Sequence, residues 1–146
     1  MTTIWTTPLT VTQYAEDDAH IEWESHFDRL NTGYSGVSTL KPLEHISRQP
    51  KNDIKMKTWY IQATNFNFQN LPDTISGISF RFTVNRGGRV FDDTIQLTYN
   101  NELIGENKCS RTVDPTQIYG SNTDLWNVAN IQDIVQTSSF GITIRL

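Results

Sequence analysis

The chain has 146 residues, of which 36% are hydrophobic and only 19% charged, with a net charge of −4. That length suits one domain able to bury about two-thirds of its unfolded surface. The acidic balance, with a pI near 5.2, argues against the basic face that non-specific nucleic-acid binding requires. A lone cysteine, Cys109, leaves no internal disulfide, so the fold must rest on packing of its seven Phe, five Tyr and four Trp. The opening Met1-Thr2-Thr3-Ile4-Trp5-Thr6-Thr7-Pro8 has neither the basic nor the apolar region of a secretory signal. No apolar run approaches the roughly twenty residues that span a bilayer. The expectation is a soluble protein made in the cytosol, with no membrane partner and no cofactor.

Plentiful Thr and Asn point to strands rather than helices. Residues 1–14 read as an extended arm, with Leu9-Thr10-Val11-Thr12 alternating and Pro8 at an edge or strand start. Between Glu16 and Asn31, Trp23, Phe27 and Leu30 approximate a helical face that Asp17 or Asp18 could cap. The alternation of Ile21 and Trp23 suits a strand equally well. Asn31 to Gly36 is a loop by composition, and residues 37–58 form a loop-rich insertion whose clearest turn is Gln49-Pro50-Lys51-Asn52-Asp53. Thr58 to Phe68 returns to strand, with Trp59, Ile61, Ala63 and then Phe66 and Phe68 alternating.

The remainder reads as consecutive antiparallel strands. Ile78, Phe80, Phe82 and Val84 alternate with polar residues and form one wall of a core. Arg86-Gly87-Gly88-Arg89 is a hairpin tip, because its glycines accept positive φ. Thr94 to Thr98 places Ile95, Leu97 and Tyr99 on one face, and Asn100-Asn101 turns the chain toward Leu103-Ile104-Gly105. Asn130 to Asp133 looks like an N-cap and a single helical turn, and Phe140 to Leu146 is a final strand. No repeat or linker interrupts the chain, so one domain over 1–146 is expected.

Candidate sites are few. His20, His26 and His45 follow no metal-ligand spacing. Asp92 and Asp93 adjoin in sequence, so a strand sends them to opposite faces, where they cannot flank one glycosidic bond. Asp92 is expected to bind backbone N–H groups where the hairpin re-enters the sheet, and Cys109 to be a small buried hydrophobe. In Tyr119-Gly120-Ser121-Asn122-Thr123-Asp124-Leu125-Trp126, Tyr119 and Trp126 could stack on a sugar while Asp124 or Asn122 binds its hydroxyls. The competing reading is structural: Gly120 takes an unusual φ, Thr123 or Asp124 caps a turn, and Leu125 with Trp126 plugs the core. Trp5, Arg86 and Arg89 are the candidate partner contacts. No Gly-x-Ser-x-Gly, phosphate-cradling loop or paired Cys and His occurs, so no catalytic residue is assigned.

Six short blocks follow in order: Ala63-Thr64-Asn65-Phe66-Asn67-Phe68, Ile75-Ser76-Gly77-Ile78, Asp92 to Leu97, Ile104-Gly105-Glu106-Asn107-Lys108, Tyr119 to Trp126, and Ser139-Phe140-Gly141-Ile142. Together they resemble a β-sandwich domain that recurs in tailed-bacteriophage virion proteins, over roughly residues 59–146. Cys109 stands where that pattern has a small residue, and Ser121 and Asn127 stand at two of its glycines. The resemblance implies an all-β, antiparallel, jelly-roll-like sandwich and a non-enzymatic subunit of the virion. Such a subunit, a capsid cement or a tail or baseplate piece, would contact other particle proteins and copies of itself. The alternative it leaves open is a receptor- or carbohydrate-binding module, with a glycan as ligand.

Overall fold

A computed structural model describes residues 4–6, 8–16, 57–83, 91–110 and 116–146. The expected helix or strand beyond Glu16, the insertion up to residue 56 and the Arg86–Arg89 hairpin tip lie outside these residues, as do the three histidines, Trp23 and Tyr34. The described elements are β1 (Thr10–Tyr14), β2 (Tyr60–Thr64), β3 (Ser79–Thr83), β4 (Thr94–Tyr99), β5 (Glu102–Ile104), β6 (Thr116–Gly120), α1 (Ile131–Ile134) and β7 (Phe140–Arg145). Five strands form one sheet in the order β1-β2-β7-β4-β5, while β3 pairs with β6. Every strand pair among the described residues is antiparallel, and the fold class is all-β.

Alternation explains which face each strand buries. β7 runs between β2 and β4, with Ile142 opposite Ala63 and Leu97 and Ile144 opposite Ile61 and Ile95. These side chains, with Phe140, make the large-sheet wall of the core, and Ile95, Leu97 and Ile142 are almost wholly removed from water. Full burial of such a side chain is worth about 1.5–3 kcal/mol. The small sheet supplies the facing wall: Phe80 lies opposite Tyr119 in the ladder, and the Phe82 and Tyr119 rings stack with centroids 5.5 Å apart. Both sheets therefore close on one apolar cluster, giving a sandwich-like arrangement. β4 and β5 are joined by Asn100 and Asn101 at φ +51° and +65°, the backbone of a two-residue hairpin turn that asparagine tolerates.

The extended segment 1–14 holds a strand where its alternating Thr and Val favour one: Thr10–Tyr14 pairs along its length with β2 at the edge of the large sheet. Two expectations are corrected. Phe66 and Phe68 do not extend β2: Asn65 and Asn67 take φ of +56° and +51°, which breaks the ladder. Both rings still reach the core, stacked with centroids 6.0 Å apart. Asn130 precedes a helical turn as expected, but its side chain makes no cap. Its backbone carbonyl instead accepts the Asp133 N–H at 3.0 Å.

The opposite face of the large sheet carries Tyr14, Tyr60, Gln62, Thr143, Arg145, Thr94 and Thr98 by register, and although polar it is buried at all of these but Tyr14. Tyr14 stacks on Tyr60 with centroids 5.0 Å apart, and the Arg145 guanidinium lies 4.2 Å from the Tyr60 ring centre. Arg145 also grips Asp93 Oδ2 through Nε at 2.8 Å and a terminal nitrogen at 2.7 Å.

Candidate functional site

The block residues converge on Trp126, the most deeply buried large side chain described, with no exposed surface. Its backbone has φ +57°, and Asn127 follows at +60°. A bulky residue in this region is strained by about 1–3 kcal/mol, and the surroundings must over-determine it. Three hydrogen bonds do so. The indole Nε1–H donates to the Ile78 carbonyl at 2.8 Å, the Trp126 N–H donates to Asp124 Oδ1 at 2.8 Å, and the Trp126 carbonyl accepts the Glu106 N–H at 3.0 Å. Asn127, standing where the phage pattern has glycine, keeps a glycine-like backbone, for which asparagine is among the best substitutes.

Gly120 makes this junction possible. At φ +79° it occupies a conformation that L side chains rarely adopt, and a Cβ there would strike the Ile78 carbonyl and lie 2.6 Å from the indole nitrogen. Lys108 closes the other side. Its ammonium pairs with Glu106 and with Asp124 Oδ2, the latter at 2.6 Å, and sits 5.8 Å from the centre of the indole. Burial works against ionisation of Asp124, but Lys108 and the Trp126 N–H outweigh it and lower the carboxyl pKa. Hydrogen bonds to Asp124 and Glu106 raise that of Lys108.

Tyr119 is likewise engaged inward. Its hydroxyl donates to Asp92 Oδ2 at 2.9 Å, and the same oxygen accepts the Ser110 N–H at 2.7 Å and its hydroxyl at 3.2 Å. Asp92 thus satisfies a backbone N–H from a buried position, but that of Ser110 far along the chain rather than one in its own turn, while Asp93 pairs with Arg145 and Lys57. Cys109 differs from the buried hydrophobe expected: it is half-buried, and its thiol donates to the Asp92 carbonyl at 3.1 Å. Asn107 and Lys108 received no role from sequence reasoning, although both stand in a quoted block. Asn107 Oδ1 accepts the Ile95 and Cys109 N–H groups at 2.9 and 3.0 Å, and its Nδ2 donates to the Asp93 carbonyl at 3.1 Å, tying the loop to β4.

A sugar platform of Tyr119 and Trp126 is excluded by their exposures of 3% and 0%. Both Asp124 oxygens are also occupied within the chain. The junction is framework. Trp59 is half-buried against the same core, so the row of exposed tryptophans that a glycan platform would need does not occur among the described residues.

Trp5 lies elsewhere, on the outer face of the small sheet. Its ring is 48% exposed and sits under the Arg81 guanidinium at 5.1 Å. Arg81 is the ladder partner of Ile118, itself 50% exposed. The flanking chain is tied down by the Thr6 hydroxyl donating to the Phe66 carbonyl at 2.8 Å and the Leu9 N–H donating to the Asn65 carbonyl at 3.0 Å. Arg86 and Arg89 lie outside the described residues. Among the described residues no group of three His, Cys, Asp or Glu side chains is placed to hold a metal. Comparison with known protein families, with curated proteins and with solved structures gives no match for this chain.

Proposed function

We propose that this chain is a non-enzymatic structural subunit of a tailed-phage particle, a capsid cement or a tail or baseplate piece, with its sheets connected in jelly-roll order. The setting rests on the order of the six sequence blocks. The mode of action rests on one observation: Trp5, Arg81 and Ile118 form a pre-arranged aromatic, cationic and aliphatic surface. Aromatic rings and arginine dominate the binding energy of protein interfaces, and a ring already held in place loses little entropy on docking. The neighbours on this reading are other particle subunits, including copies of this chain, and the protein works inside the assembled virion.

A Trp5→Ala/Ile118→Asp double variant tests this. It is expected to remain folded, since both side chains are half exposed, and to be at least tenfold depleted from purified particles relative to the wild-type chain. Undiminished incorporation overturns the assignment of this face.

A further inference from the structure

No further inference is drawn: the strongest candidate, the polar face of the large sheet around Gln62, Thr98, Thr143 and Arg145, is buried at each of these residues, and nothing among the described residues shows what covers it.

Discussion

Trp126 concentrates the energetic argument at the level of single residues. Its indole is wholly buried, its N–H is spent on the Ile78 carbonyl, and its strained backbone is held by Asp124 and Glu106. Truncating a buried Trp to Ala costs about 3–5 kcal/mol, so Trp126→Ala should lower the thermal midpoint by roughly 10 °C. An unchanged midpoint contradicts the assignment. Charge makes a second prediction. The carboxyl pKa values of Asp93 and Asp124 are both lowered: burial opposes ionisation, but Arg145 and Thr94 outweigh it for Asp93, and Lys108 and the Trp126 N–H for Asp124. A carboxylate whose folded pKa lies below its unfolded value of 3.8 stabilises the fold at pH above that value. The contribution is lost as pH falls through the lower folded value. Urea unfolding followed from pH 6 down to about pH 2 should show stability falling most steeply below about pH 4. An Asp93→Asn/Asp124→Asn variant should show a shallower fall, and an identical fall would contradict the role of these pairs.

Elements were legible in the sequence where one periodicity governed a whole run. Ile95 and Leu97 in β4, and Phe140, Ile142 and Ile144 in β7, alternate with polar residues, so their faces could be assigned before any coordinates. Phe66 and Phe68 alternate too, yet two asparagines at positive φ turn that run into an irregular segment with both rings inward. Nothing in a strand period reveals a left-handed asparagine. The structural reading of Tyr119 to Trp126 was available from apolar Leu125 beside Trp126, but the positive φ of Trp126 itself was not. Gln62 and Thr143 look like outward-facing polar positions, yet the ladder sets them side by side and both are buried. β1 supplies the test at this scale. Ahead of β1, Thr6 bonds the Phe66 carbonyl and Trp5 lies under Arg81, whereas Thr10–Tyr14 covers the edge of β2. Deleting residues 1–8 should leave a folded protein of slightly lower midpoint. Deleting 1–14 should expose a strand edge and produce aggregation, visible by light scattering. A monomeric, equally stable 15–146 chain would contradict the role given to β1.

Across the whole molecule, two sheets enclose one aromatic and aliphatic core, and the sequence blocks that carry the phage resemblance supply its junctions. Ile78 receives the Trp126 indole, Lys108 pairs with Asp124, Asn107 ties the loop to β4, and Asp92 anchors Tyr119. Residues so committed to the fold hold its junctions together, and the proposal for neighbouring subunits rests on the exposed Trp5 and Ile118 instead. The central claim is that the chain is a stoichiometric part of a virion, and quantitative mass spectrometry of gradient-purified phage particles tests it most directly. The account predicts this chain at a fixed multi-copy ratio to the major capsid protein, retained after high-salt washing. Its absence from intact particles, or presence only in traces that the wash removes, would contradict the account.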